Sequence, residues 1–158
     1  MEKIVQDLAD RLMKNQQIIV TAESCTGGWI AQELTSIAGS SAWFDRGFVT
    51  YSNQSKQEML GVSEATLQKY GAVSEQVVKE MAEGALLHSC AQFSVVTSGI
   101  AGPGGGSAEK PVGTVWFAWG CDGGETKTQM CCFDGDRESV RKQAVSFALE
   151  GILQNFFA

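Results

Sequence analysis

A short segment rich in hydroxyl groups and glycines lies between a β-branched run and the start of a helical pattern. It spans residues 21–28 and reads Thr-Ala-Glu-Ser-Cys-Thr-Gly-Gly. Free backbone N–H groups and the dipole at a helix start favour anions, so this place suits a phosphate or a carboxylate. Ser24 or Thr26 is equally well explained as a simple helix N-cap beside a glycine turn. The segment therefore indicates either an anion site or a capped turn.

A serine, a tyrosine and a lysine further along the chain offer acyl-transfer chemistry without histidine. Ser41, Tyr51 and Lys56 supply a hydroxyl, a phenol and an amine. A lysine acts as a base only when it is neutral, and burial lowers a lysine pKa by several units. Asn53 stands three residues before Lys56, so a Ser-x-x-Lys motif is absent and any serine–lysine pair must form by tertiary contact. The alternative is that Lys56 is an ordinary surface lysine.

A glycine-dense segment, residues 98–113, follows a predicted strand. Its central part, Ile100 to Ser107, is not a Walker A loop, because no Gly-Lys-Ser/Thr sequence follows. It is not a dinucleotide fingerprint either, because a strand pattern comes next instead of a helix. Glycines let a backbone approach a ligand closely, although they also occur in plain flexible loops. The position after a strand favours ligand contact.

Arg137 stands against the local preference of its helix. Asp136 is a natural N-cap, which places Arg137 in the first turn, where a cation opposes the helix dipole. A residue placed against local preference is often retained for a ligand. Pairing of a solvated Arg137 with Glu138 or Asp134 explains the position equally well.

The composition excludes several kinds of chemistry. The chain has 158 residues, with five cysteines and one histidine. The cysteines include no Cys-x-x-Cys pair, so the sequence indicates neither a zinc site nor a disulfide framework. The single histidine argues against most histidine-based mechanisms. The net charge of −6 without a basic stripe disfavours binding to nucleic acid or to an anionic membrane. No apolar run approaches the roughly 20 residues that span a bilayer, and the N-terminus lacks a signal-peptide pattern. We therefore expect a cytoplasmic protein with reduced thiols.

Hydrophobic periodicity predicts the elements that position these residues. Helices are expected over residues 2–15, 29–38, 55–60, 63–70 and 74–90, and from residue 136 onward. Strands are expected over residues 17–22, 46–52, 93–97, 113–120 and 126–133. Helices separate the first three strands and a hairpin comes late. The pattern therefore predicts one α/β domain over residues 1–158, with three α/β/α layers and a mixed sheet.

Taken together, the ordered segments are similar to the CinA C-terminal family. The similarity runs from about residue 4 to residue 155 and resembles the form of the family that stands without a second domain. The motifs that carry it are TAESCTGG at 21–28, GSSAWF at 39–44, GFVTYSN at 47–53, GAVS at 71–74, SGIAGP at 98–103, KPVGTV at 110–115 and GDR at 135–137.

The resemblance implies hydrolysis of the carboxamide of nicotinamide mononucleotide to nicotinate mononucleotide and ammonia, without a cofactor or a metal. Matching positions imply a catalytic group of Ser41, Tyr51 and Lys56. We expect Ser41 Oγ to be the nucleophile, neutral Lys56 to be the base and Tyr51 to relay or steady the proton, with Ser24 as the alternative nucleophile. The expected contacts to the substrate phosphate are Thr26, Gly27, Gly28 and Arg137, and the expected donors to the oxyanion lie at Ser98 and Gly99.

Two other functions are compatible with the same residues. The glycine turns would also serve a non-catalytic nucleotide-binding or regulatory module. A second enzymatic possibility is hydrolysis of another nucleotide or ring that bears an amide. The expected partner is in each case a small molecule, and the sequence leaves a homo-oligomer open.

Overall fold

A mixed sheet of five strands forms the centre of the molecule, and the computed structural model describes residues Met1–Ala158. The strand order is β2-β1-β3-β4-β5; β1 is parallel to β2 and to β3, and the pairs β3–β4 and β4–β5 are antiparallel. The expectation of an α/β fold with a mixed sheet is confirmed. The strands are β1 (Ile19–Glu23), β2 (Phe44–Val49), β3 (Phe93–Gly99), β4 (Thr114–Cys121) and β5 (Lys127–Cys132).

Six α-helices cover the two faces of this sheet, and a 3-10 helix, Ser40–Ala42, precedes β2. Residues of α1, α2 and α6 form one apolar core with one face of the sheet, and residues of α3, α4 and α5 form a second core on the other face. None of the helices combines the length and the apolar character that crossing a bilayer requires. The helices are α1 (Glu2–Lys14), α2 (Trp29–Thr35), α3 (Asn53–Leu60), α4 (Glu64–Tyr70), α5 (Glu75–Leu87) and α6 (Arg137–Phe156).

The two cores follow from the alternation of side chains along the central strands. Ile19 of β1 and Val95 of β3 belong to the core of α1, α2 and α6. Their chain neighbours Val20 and Val96 belong to the core on the opposite face. Successive side chains of a strand point to opposite faces, so a strand buried on both sides must be apolar without interruption. This requirement explains the β-branched runs that the sequence shows.

Several element boundaries differ from the sequence prediction. The helix expected over 29–38 ends at Thr35, where the Ser36 hydroxyl donates to the Glu33 carbonyl and competes with continuation of the helix. The strand expected over 46–52 runs from Phe44 to Val49 and is shifted towards the N-terminus. The helix expected from residue 55 begins at Asn53, because Ser52 and Ser55 form a reciprocal capping box.

The parallel part of the sheet determines where the chemistry-bearing residues meet. Because β1, β2 and β3 run in the same direction, their carboxyl ends lie at one edge. Ser24, Thr50 and Ile100 directly follow these three strand ends. In open α/β sheets, ligands bind beside the carboxyl ends of the strands.

Gly151 of α6 packs directly against Trp119 of β4. A Cβ atom at position 151 would overlap the indole ring, whose Nε1 donates to the Ala148 carbonyl at 3.0 Å. We expect Gly151→Ala to be destabilising, since overpacking a rigid ring costs about 3 kcal/mol whereas the helix-propensity gain is only about 1 kcal/mol. Urea unfolding should show a net loss of about 2 kcal/mol. Gln154→Ala on the exposed face of α6 is the control, and equal stability of wild type and Gly151→Ala would contradict the packing.

Candidate active site

Lys56 is a lysine buried in the protein interior, on the inward face of α3. Lys56 and Leu60 are four residues apart and are the buried positions of this helix. The Lys56 side chain is 1% exposed. Its Nζ donates to Ser24 Oγ at 3.2 Å, to the Thr50 carbonyl at 2.8 Å and to the Tyr51 carbonyl at 3.5 Å. The amine thus has three oxygen partners and no carboxylate partner.

Burial changes the proton affinity of this amine. Removal from water disfavours the charged form, and this desolvation lowers the pKa of Lys56 from 10.5 to about 8. A smaller electrostatic contribution from the neighbouring Cys25 acts in the opposite direction. With such a pKa, about a tenth of the Lys56 side chains are neutral at pH 7. A neutral amine is therefore available as a base near neutral pH.

Ser24 provides the hydroxyl beside this amine. It directly follows β1 and is 8% exposed. Its N–H donates to the Thr97 carbonyl at 3.0 Å, and its own carbonyl accepts from the Gly27 N–H at 3.0 Å. These backbone bonds hold Ser24 where β1 and β3 end. A serine hydroxyl and an amine of lowered pKa are thereby placed in hydrogen-bonding contact.

A cavity of about 270 Å³ opens beside the contact between Ser24 and Lys56. Its volume lies at the low end of the range for small-molecule sites, about 300–1,000 Å³. A larger cavity of about 670 Å³ lies at the opposite edge of the sheet and contains none of the residues that the sequence singled out. We therefore place the candidate site at the smaller cavity. The sequence-predicted residues that line it are Ser24, Tyr51, Lys56, Ser98, Gly99 and Arg137.

Tyr51 and Arg137 meet at the mouth of this cavity. Arg137 Nη2 donates to the Tyr51 phenol oxygen at 3.1 Å, and Arg137 Nη1 donates to the Gly102 carbonyl at 2.8 Å. The Tyr51 side chain is 60% exposed. The phenol thus contacts Arg137, and Tyr51 approaches Lys56 only through its carbonyl. The geometry does not support the expected proton relay through the phenol.

The loop between β3 and β4 contributes backbone donors to the cavity. The N–H groups of Ala101, Gly102, Gly104 and Gly105 donate to no acceptor in the protein, and these residues line the cavity. Backbone N–H groups presented together in a loop make a concavity that attracts anions. The glycine-dense segment, which the sequence predicted to contact a ligand, is therefore a candidate anion site.

Ser98, Gly99 and Cys25 form the wall between this loop and Ser24. The Ser98 hydroxyl donates to the Ala72 carbonyl at 2.9 Å. Burial, followed by the nearby Glu23 carboxylate, raises the pKa of the Cys25 thiol to about 11. The thiol is protonated at neutral pH, so Cys25 is not an activated nucleophile.

The turn before α2 does not offer the phosphate site that its composition suggested. The Glu23 carboxylate, 1% exposed, accepts the N–H groups of Ile30 at 2.9 Å and Ala31 at 3.1 Å, so an anion already occupies this helix start. Thr26 is fully buried and donates its hydroxyl to Glu23 at 2.6 Å. The residues of this turn that do not line the cavity are Thr26, Gly27 and Gly28.

Ser41 is not brought to Lys56. It lies exposed in the 3-10 helix before β2. Because Phe44 of β2 pairs with Ile19 of β1, Ser41 lies at the amino end of the parallel strands. Ser24 and Lys56 lie at the carboxyl ends, at the opposite edge of the sheet. The serine in hydrogen-bonding contact with Lys56 is Ser24.

Sequence reasoning missed Arg141, which holds the Ser24 turn from α6. Arg141 Nε donates to the Cys25 carbonyl at 3.1 Å, and its Nη2 donates to the Thr26 carbonyl at 3.3 Å. Its guanidinium also lies over the Trp29 ring at 5.5 Å from the ring centre. Residues four apart share a helix face, so a candidate site at Arg137 also predicts that Arg141 faces the same region.

Comparison with known proteins places this site in a family. The family model of the CinA C-terminal domain matches residues 1–156. The nicotinamide-nucleotide amidohydrolase PncC of Escherichia coli K12 is 55% identical over 154 residues, which are 98% of this chain and 93% of that protein. The protein of the same name from Enterobacter agglomerans is 62% identical over 138 residues, which are 87% of this chain and 84% of that protein.

A solved structure agrees with these sequence matches. The crystal structure of a competence/damage inducible protein from Agrobacterium tumefaciens superposes with a TM-score of 0.94 at 48% identity, covering 97% of this chain and 93% of that one. The sequence motifs and the superposed fold both extend over nearly the whole chain. The chain belongs to the CinA C-terminal domain family.

Proposed function

We propose that this protein is an amidohydrolase that converts nicotinamide mononucleotide and water to nicotinate mononucleotide and ammonia. The observation that carries the proposal is the contact of 3.2 Å between Lys56 Nζ and Ser24 Oγ, beside a cavity lined in part by glycine-loop residues whose N–H groups have no acceptor in the protein. The relatives named nicotinamide-nucleotide amidohydrolase, at 55% and 62% identity, support the same reaction.

Ser24 Oγ is the proposed nucleophile. Neutral Lys56 accepts the Ser24 proton as the oxygen attacks the amide carbon of the substrate, giving a tetrahedral intermediate. The resulting ammonium then donates a proton to the amide nitrogen, which leaves as ammonia. The serine ester that remains is hydrolysed by water, with Lys56 accepting a proton from water and returning it to Ser24. The nitrogen departs as ammonia, and the carboxyl product takes its second oxygen from water.

Backbone groups of the glycine-dense loop are the proposed donors to the anionic parts of the substrate. The N–H groups of Ala101, Gly102, Gly104 and Gly105 are free to bind the phosphate or the oxyanion of the intermediate. Each donor aimed at an oxyanion contributes about 3–4 kcal/mol to transition-state stabilisation. Arg137 adds a positive charge at the mouth, where Tyr51 orients its guanidinium.

The substrate is proposed to be a free nucleotide, handled in the cytoplasm. The net charge of −6 supports a small ligand over a nucleic acid, because polymer binding requires clustered cations. All five cysteines are unpaired, which fits a reducing compartment.

Ammonia release from nicotinamide mononucleotide is the direct test, and we expect the wild-type protein to release one ammonia per nucleotide. Ser24→Ala should lower kcat about a thousandfold or more, because the attacking oxygen is lost. Ser41→Ala is the matched comparison, since it removes a serine hydroxyl at the other edge of the sheet. A larger loss of kcat in Ser41→Ala than in Ser24→Ala would overturn the assignment. Binding of the nucleotide without ammonia release would overturn the enzymatic function itself.

Lys56→Met should lower kcat about a thousandfold or more and yet keep the fold. In wild type, the unfolded chain binds a proton at Lys56 up to a pKa of about 10.5, whereas the folded chain releases it near pH 8. The cost of burying this charge is therefore complete below pH 8 and disappears as the pH rises to about 10.5. We expect Lys56→Met to unfold at a higher temperature than wild type at pH 7, with the difference shrinking over that window. A Tm difference that grows with pH would contradict the buried charge.

The pH profile of kcat/KM reports the same amine. If neutral Lys56 is the base, kcat/KM should rise about tenfold per pH unit below the pKa of about 8 and level off above it. Initial rates at constant ionic strength between pH 6.5 and 9.5 check this, and the residual activity of Lys56→Met should lack the inflection. A wild-type profile that is flat or falling over this range would exclude neutral Lys56 as the base.

A further inference from the structure

Glu23 is a buried carboxylate that the proposed reaction does not use. Its side chain is 1% exposed at the carboxyl end of β1, directly before Ser24. It forms no ion pair, and its partners are hydrogen-bond donors. We propose that Glu23 is a positioning residue, which fixes the turn that carries Ser24 so that the hydroxyl stays in contact with Lys56. The inference rests on the proposed function in taking Ser24 as the nucleophile.

Three donors converge on the two oxygens of this carboxylate. Glu23 Oε1 accepts from Thr26 Oγ1 at 2.6 Å and from the Ile30 N–H at 2.9 Å, and Oε2 accepts from the Ala31 N–H at 3.1 Å. Two of these donors are helix N–H groups that would otherwise lack a partner at the start of α2. A carboxylate accepts hydrogen bonds only, so it matches three donors better than any neutral side chain.

The same residues tie the turn to the other strand ends. The single hydroxyl hydrogen of Thr26 goes to Glu23, so Thr97 must be the donor in the contact of 2.8 Å between the two threonine hydroxyls. The Glu23 carbonyl accepts from the Thr50 N–H at 2.9 Å. The Thr50 carbonyl in turn accepts a hydrogen bond from Lys56 Nζ. The ends of β1, β2 and β3 are therefore joined around Glu23.

This network encloses the Ser24 backbone on both sides. Two residues, Ser24 and Cys25, separate Glu23 from Thr26, and the side chains of Glu23 and Thr26 are bonded to each other. Loss of that bond removes the side-chain link that closes the turn between them. A displacement of about 1 Å at a reacting group costs about a hundredfold in rate, so Glu23 acts on catalysis through the position of Ser24.

Glu23→Gln tests the proposal with a change of almost no volume. If the amide oxygen keeps the contacts of Oε1, the amide NH₂ faces the Ala31 N–H, and two donors oppose each other. We expect kcat for nicotinamide mononucleotide to fall about tenfold to a hundredfold, with KM within about threefold of wild type. Assays are run well below the unfolding temperature of the variant.

Two controls separate positioning from general destabilisation. Ile152→Val removes a methyl group from the core beside α6, away from the turn. We expect this variant to lose about as much Tm as Glu23→Gln and to keep kcat within about twofold of wild type. Thr26→Ser keeps the hydroxyl that bonds Glu23 and Thr97, whereas Thr26→Val removes it. The serine variant should recover most of the kcat that the valine variant loses.

Hydrogen exchange provides a readout that does not depend on the substrate. In Glu23→Gln, the amides of Ile30 and Ala31 should exchange at least about tenfold faster, while the β3 amides keep their protection. Equal kcat in Glu23→Gln and wild type, or a loss no larger than in Ile152→Val, would overturn the positioning role. If the wild type releases no ammonia, the proposed function fails, and unchanged exchange at Ile30 and Ala31 would then overturn the positioning role separately.

Discussion

The exclusion of water from the Lys56 amine is the constraint on which the rest of the site depends. Transfer of a charged ammonium to an apolar interior is so unfavourable that the group loses its proton more readily instead. Lys56 has three oxygen partners and no carboxylate, so its pKa falls to about 8. A carboxylate in contact would stabilise the charged form and remove the base. The absence of an ion pair at Lys56 is therefore as important to the chemistry as its burial.

The sheet topology turns this buried amine into part of a site. Three parallel strands end at one edge, so Ser24, Thr50 and the loop after β3 meet although they are distant in sequence. Buried polar contacts among Glu23, Thr26 and Thr97 fix the turn at that edge. Such networks are costly unless every member is satisfied, and here each carboxylate oxygen has a donor. Stability and positioning of the nucleophile thus depend on the same hydrogen bonds.

Local patterns predicted the fold well because the core strands and helices carry uninterrupted periodicity. The strand predicted over residues 17–22 corresponds to β1, which is buried along its whole length, and the helix predicted from residue 136 onward corresponds to α6. The site was predicted less well, since it depends on tertiary contacts. Ser41 and Ser24 are equivalent by residue type, and only the parallel register shows that Ser41 lies at the far edge. Glu23 was overlooked because a glutamate at the end of a strand is expected to lie in solvent, and its three hydrogen-bond donors come together only in the folded structure.

The titration of Lys56 itself tests the central claim most directly. Protein labelled with ¹³C at the lysine side chains allows the Cε resonance of Lys56, assigned with Lys56→Met, to be followed by NMR between pH 6 and 11. Burial of the amine predicts a midpoint of about 8, well below that of the exposed lysines. A midpoint near the ordinary lysine value of about 10.4 would show that the amine is charged at neutral pH and would contradict its role as the base.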